Sequence, residues 1–291
     1  MAGRGRGIDY KQRFSASRWA EDCLKVSLGK KYGLFTIRIG LSDVKSNDRA
    51  LSPIPNLKVP DLLVFKEGNL TSRQKRSLSS ADLPLKPLEV FRSSGQFGFC
   101  MRKALAAIEV EFSPYRAARM KGRFWKPKSK KELEERPRRH AKPPIAPNIW
   151  IQEKDLGRLD TWGRRFHVPI VIAHVFNQEA FAVPFKTIKR FARKYELARR
   201  RRRKVVLQLS SGIFKLEDYS YDRTDAQGAR EQKDVYVVAP CAATKIGDVT
   251  GVKVRAQLNI SPSQKYVTQP IFKGGRVIVS DDFLTLLNQL R

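Results

Sequence analysis

The sequence predicts an α/β protein, with a central mixed β-sheet flanked by helices and a strand-rich C-terminal part. Three observations lead there. Apolar runs of strand length recur at 32–41, 56–65, 104–112 and 168–176; amphipathic stretches of helical length lie beside them; and from Val205 onward short strand-like runs follow one another. The chain has 291 residues, 41% hydrophobic and 10% aromatic. It can therefore form one large or two modest domains and bury a core, which excludes disorder throughout.

The elements follow in order. A first helix is expected over Phe14 to Leu24, with Phe14, Trp19 and Cys23 near one stripe, and YGLFTIRIGL at Tyr32 to Leu41 alternates as a strand. NLKVPDLLVF at Asn56 to Phe65 turns from a loop into a buried strand, because Pro60 cannot donate a ladder bond and so marks the strand entry. The polar KEGNLTSRQKRSLSSADLPLKP that follows reads as a surface excursion. ALAAIEVEF at Ala104 to Phe112 is a second central strand and VPIVIAHVF at Val168 to Phe176 a third, followed by a short polar NQE turn and AFAVPF, which suggests a hairpin. Between them a helix is expected over Gln152 to Phe166, with Leu156, Leu159, Trp162 and Phe166 on one face. Phe185, Ile188, Phe191 (or Ala192), Tyr195 and Ala198 recur at helical steps, predicting an amphipathic helix over FKTIKRFARKYELARRRRRK with a cationic outer face. VVLQL, DVYVVAP, VKVRAQLNI and RVIVSDDF then read as strands and FLTLLNQL as a closing helix.

Charge is the extreme feature. Fifty-eight Lys and Arg against 28 Asp and Glu give +30, a surplus that points to a polyanionic partner, most often nucleic acid. The surplus is concentrated. Tyr115 to Pro143 holds twelve Lys/Arg against three Glu, net +9, and reads as a loop-like basic arm; Lys186 to Lys204 holds eleven against one, net +10, and includes five consecutive arginines, Arg199 to Arg203. The expected organisation is a core over 1–198 carrying the arm at 115–143, then a strand-rich region over 205–291 that is either a separate unit or part of the same sheet. Cys23, Cys100 and Cys241 are too few and scattered for a disulfide framework or a CxxC zinc pair and read as buried, reduced thiols. His140, His167 and His174 lack metal-ligand spacing and read as core or surface residues. The start, MAGRGRGIDYKQRF, has no apolar region behind its basic residues, and no run nears about 18 apolar residues, so a soluble intracellular protein is expected.

The residues richest in chemistry are acidic. In AAIEVEF, strand alternation puts Ile108, Val110 and Phe112 on one face and Ala107, Glu109 and Glu111 on the other, with the two carboxylates about 6 to 7 Å apart along the strand. Like charges inside so apolar a segment need something positive between them, a metal ion or basic side chains; the alternative is an edge strand whose glutamates face water. Asp61, after Pro60 and before Leu62 to Phe65, is the natural third carboxylate. Three hard oxygen ligands suit Mg²⁺. No Ser/His/Asp or Cys/His set and no phosphate-cradling GxxxxGK[ST] spacing competes.

KVPDLLVF followed by AAIEVEF resembles the bipartite site of the PD-(D/E)xK nuclease superfamily, and the chain looks most like a type II restriction endonuclease. NIWIQEKDLGRLDTWGRRFHVPIVIAHVFNQEAFAVPF is similar to the unit that follows the catalytic strand there, in which a helix packs on the sheet and the next strand lies beside the active one. The resemblance covers roughly Glu21 to Phe185. It implies a restriction-endonuclease-like core in a bacterial or archaeal cytoplasmic homodimer that hydrolyses double-stranded DNA site-specifically with Mg²⁺. Asp61 would be the metal-binding aspartate and Glu109 the acid of the second half-motif. Glu111 stands where the family usually has lysine, so either Glu111 takes over that role or a lysine arrives from elsewhere, Lys121 and Lys154 being nearest in sequence. Glu21 in RWAEDCL resembles a first-helix glutamate that often joins the site as a metal ligand, the competing reading being a solvent-facing glutamate. Phosphate contacts are expected from Arg119, Lys121, Arg123 and Arg199, Arg200, Arg201, Arg202 and Arg203. Two other readings stay open: a structure-specific repair or recombination nuclease, and a basic nucleic-acid-binding protein with no enzymatic activity.

Overall fold

The computed structural model describes residues 8–40, 58–81, 101–113, 126–127, 129, 131, 149–224, 230–260 and 266–290. Helix α1 (Ile8–Tyr32) is longer than the expected 14–24. Its buried stripe is Ala20, Leu24 and Leu28, one residue on from the Trp19/Cys23 row. Gly33, in the left-handed region at φ 61, closes it by donating to the Gly29 carbonyl (3.1 Å) and turns the chain into β1 (Leu34–Arg38). β1 pairs antiparallel with β2 (Leu62–Lys66), and β2 antiparallel with β3 (Ala106–Phe112). The polar segment after β2 is not all loop: α2 (Ser72–Ala81) lies within it, with Leu70 and Leu78 buried.

After β3 come a short strand β4 (Ile149–Gln152) and α3 (Glu153–Phe166), which crosses over to β5 (Ile170–Val175) parallel to β3. His167, at φ 54, ends α3 and aims Val168 and Pro169 into β5. A two-residue loop, Asn177 and Gln178, then joins β5 to β6 (Glu179–Pro184) as a hairpin, with Phe176 donating to the Glu179 carbonyl at 2.8 Å.

The helix expected over 185–204 is interrupted. α4 (Phe185–Leu197) buries Phe185, Ile188, Phe191 and Tyr195, but Leu197 is 71% exposed, so nothing apolar holds the chain helical through Arg199. α5 (Arg201–Ser211) starts afresh and takes in Val205 to Leu209, which the sequence reads as a strand. Val206 and Leu209 both reach a small cluster with Phe214 and Ala239, and that three-residue spacing needs a helix. Gly212, at φ 70, ends α5.

β7 (Ile213–Thr224), β8 (Arg230–Val238) and β4 form a three-stranded sheet in the order β4-β8-β7. β9 (Thr244–Thr250) and β12 (Arg276–Val279) flank the hairpin of β10 (Lys253–Ile260) and β11 (Tyr266–Lys273), and α6 (Asp281–Asn288) ends the chain. The main sheet has seven strands in the order β1-β2-β3-β5-β6-β9-β12, so two strands of the last third belong to it.

Strand alternation gives this sheet two apolar faces. Leu62, Val64, Ile108, Val110, Val171 and Ala173 pack under α1 and α6; Leu63, Phe65, Ala107, Ile172 and Val183 pack under α3, α4 and the three-stranded sheet. The sheet curls around α1, which ion-pairs with Arg38 on β1 and hydrogen-bonds the backbone of β12 at the far edge. Among the described residues no helix is long and apolar enough to cross a membrane.

Candidate active site

Pro60 and Asp61 lead into β2, and Asp61 is tied down from both sides. Its carbonyl accepts from the Ile39 and Gly40 N–H groups (2.8 and 3.2 Å), while its carboxylate Oδ2 accepts from the Val110 N–H at 2.7 Å. The side chain therefore meets the backbone of β3 between Glu109 and Glu111. Gly40 makes this possible, since a Cβ there would lie 2.8 Å from Asp61 Oδ1 and 2.9 Å from Asp61 Cα.

On β3 the alternation places Glu109 and Glu111 on the α3 side with Ala107. Glu109 is 4% exposed, yet charged groups at that depth require a counterion. Lys58 supplies one. Its Nζ lies 2.5 Å from Glu109 Oε1 and 3.0 Å from Oδ2 of Asp155, a buried acid in the first turn of α3. The other oxygen, Glu109 Oε2, is buried without a hydrogen-bond partner among the described residues. Glu111 is half-buried and feels the same ammonium. On the opposite side of the sheet Glu21 of α1, 2% exposed, accepts from Arg38 Nε at 2.7 Å, and Arg38 also holds the exposed Asp22.

The electrostatics are those of too much negative charge in too little water. Asp61 is raised well above the ordinary aspartate range by burial, then by the neighbouring Glu109 and Glu21, against the opposing pull of the Val110 N–H and Lys58. Glu109 is raised by burial, with Lys58 pulling it back, and Glu111 is pushed up to about 7 by burial, with Lys58 opposing and Glu109 and Asp155 adding. Burial likewise raises Glu21, while Arg38 lowers it. Lys58 is raised by Glu109, Glu111 and Asp155, which outweigh its burial. Four carboxylates, Asp61, Glu109, Glu111 and Asp155, thus gather around Lys58, and a fifth, Glu21, sits with Arg38 across the sheet.

Asp61, Glu109 and Glu111 lie together on adjacent strands, and Glu21 is near enough to act on Asp61. They do not form a ready-made cage: among the described residues no group of three or more His, Cys, Asp or Glu side chains is arranged to hold a metal ion. Lys58 occupies one Glu109 oxygen, which accounts for part of this. The donors nonetheless fit Mg²⁺, which takes one or two protein carboxylates and keeps waters for its remaining positions; the orphaned Glu109 Oε2 and the excess of carboxylates both call for a cation.

Arg199 to Arg203 are exposed across the junction of α4 and α5. Arg119, Lys121 and Arg123 lie outside the described residues, and Lys154 is exposed on α3. Of the cysteines expected to be buried, Cys23 is half-buried, Cys241 is exposed, and Cys100 lies outside the described residues. His174 is buried, His167 is exposed, and His140 lies outside the described residues.

Two residues of the cluster escape a reading of the sequence. Lys58 stands three positions before Asp61, on the loop side of Pro60, where a lysine ordinarily faces water. Asp155 was legible in principle, because 155, 159 and 162 fall on one helical stripe and a carboxylate there, among Leu159 and Trp162, announces a buried charge. No protein-family model, no curated protein and no solved structure matches the chain.

Proposed function

We propose that the protein is a Mg²⁺-dependent, site-specific endonuclease that hydrolyses phosphodiester bonds of double-stranded DNA, in the manner of a type II restriction enzyme and acting as a homodimer. The observation that carries this reading is the Asp61 carboxylate bonded to the strand that bears Glu109 and Glu111, with the half-buried Lys58 beside them. The α3–β5 unit supports it, because α3 packs on the sheet and β5 runs parallel beside β3, as the resemblance to the PD-(D/E)xK superfamily implies.

Asp61 and Glu109 would hold the cation, Asp61 through the oxygen not engaged by Val110 and Glu109 through its unpartnered Oε2. Held by these two carboxylates, a divalent ion would supply the charge that polarises a phosphate and lowers the pKa of a coordinated water. The chain's own part is positioning. The Val110 N–H fixes the Asp61 carboxylate, Gly40 leaves it room, and β3 holds Glu109 and Glu111 at a fixed separation along one face. Lys58 brings to Glu111 the positive charge that the usual family lysine would carry. Attack by water needs no protein-bound intermediate. Arg199 to Arg203, exposed at the junction of α4 and α5, would grip phosphates without reading sequence.

Incubating plasmid DNA with the protein and Mg²⁺ tests the reading. Discrete fragments are expected, and Asp61→Ala or Glu111→Ala should lower cleavage at least about 100-fold while DNA binding persists. Smeared or branch-restricted cleavage would favour a structure-specific nuclease. Binding without cleavage under any divalent ion would leave a basic nucleic-acid-binding protein.

A further inference from the structure

Lys58 has two anchors on two different elements. Glu109 Oε1 on β3 holds its ammonium at 2.5 Å and Asp155 Oδ2 on α3 holds it at 3.0 Å. An ammonium has three donors and can lean toward either carboxylate without leaving the cluster. Among the described residues Asp155 has one other cation near it: Arg158 Nη1 is 4.0 Å from its other oxygen, at the limit of an ion pair. Glu109, in contrast, is wanted twice, because its Oε2 is buried with no partner among the described residues while its Oε1 is taken by Lys58. A divalent cation drawn to Glu109 would find a positive charge already on the same carboxylate, and the two cations repel.

We propose that Lys58 is a built-in competitor for the cation site, resting on Glu109 in the metal-free protein and withdrawing to Asp155 when a divalent ion binds, so that Asp155 sets how tightly the ion is held. This rests on the metal-dependent reading above. Asp155 is thus a positioning residue: it works on the site through Lys58 by offering the displaced ammonium a buried partner. Without that partner the lysine stays on Glu109 and the ion is excluded.

Calorimetric titration of the full chain with Mn²⁺, without DNA, reads this directly. Lys58→Met removes the charge at similar length, and Lys58→Gln keeps a hydrogen-bond donor for both carboxylates should the Met variant fail to fold. Both should bind Mn²⁺ about tenfold or more tightly than wild type, and Asp155→Asn about tenfold more weakly. In the Lys58→Met background, Asp155→Asn should change affinity by less than about twofold, since there is no ammonium left to position.

If wild type binds Mn²⁺ and neither Lys58 variant binds it more tightly, the competition is refuted while the metal site stands. Equal weakening by Asp155→Asn with and without Lys58 refutes the positioning role, because Asp155 then acts on the ion directly. If wild type and both Lys58 variants all fail to bind, the metal-dependent reading falls and this inference with it.

Discussion

Gly40 is the residue on which the Asp61 geometry turns. A methyl group there meets both the Asp61 carboxylate and its Cα, and the Cα cannot give way without moving the start of β2. Gly40→Ala should therefore cost about 1–3 kcal/mol of stability and swing the carboxylate off the Val110 N–H, so that cleavage falls more than the shift in urea midpoint explains. An alanine variant with wild-type activity would mean the close approach is relaxed in solution. His174 makes a separate case. It stacks on Phe176 (centroids 4.1 Å apart, rings 9° from parallel), both of its ring nitrogens are buried without a partner among the described residues, and burial lowers its pKa from 6.5 to about 3. Glu111 is its register partner on β3. Below pH 6.5 the unfolded chain takes a proton here that the folded chain refuses, so this residue's contribution to stability falls as pH drops from 6.5 toward 3. His174→Leu removes that loss. Between pH 7 and pH 5 its unfolding free energy should gain about 2 kcal/mol on wild type, read from urea titrations at the two pH values. An unchanged difference would place the imidazole in contact with water.

At the level of elements, α1 does more than a covering helix needs to. Trp19, Ser27 and Lys31, spaced by multiples of four, donate to the carbonyls of Gly274, Val277 and Val279, and the Tyr32 hydroxyl donates to that of Ser280. The outer edge of β12 is thereby closed to another strand, a standard hazard of open sheets. None of this shows in sequence, because the partners lie some 250 positions away and the expected helix ends at Leu24, short of Ser27 and Lys31. What was legible is what depends on local alternation. β3 and β5 stand within two residues of their expected limits, and the faces of Glu109 and Glu111 follow from period two alone. What was not legible depends on tertiary partners. Val205 to Leu209 has strand-forming side chains but joins a helix because Phe214 and Ala239 offer its apolar side a pocket, and Lys58 reads as solvent-facing until α3 brings Asp155 to it. Asp61, Glu109 and Glu111 were thus written at the start of β2 and in β3, whereas Lys58 and Asp155 had to wait for the fold.

Across the whole molecule, charge is segregated by sign. A chain of net +30 keeps four carboxylates around Lys58 at one place on its sheet, while a block of five arginines stands exposed where α4 gives way to α5. No apolar contact of the core uses Arg199 to Arg203, so replacing all five with Gln should leave the fold intact and lower the net charge to +25. The replacement separates two origins of affinity. If these side chains neutralise phosphates, each one engaged releases counterions, and the dependence of log K on log salt should lose about 0.9 per arginine, up to about 4.5 in all. Any Mn²⁺ affinity of the proposed site should not change, because among the described residues the arginines make no ion pair with Asp61, Glu109 or Glu111. Filter binding of a fixed duplex between low and moderate salt gives the slope. A slope equal to that of wild type would turn the α4–α5 junction away from DNA and leave the basic segment 115–143 as the grip on the backbone.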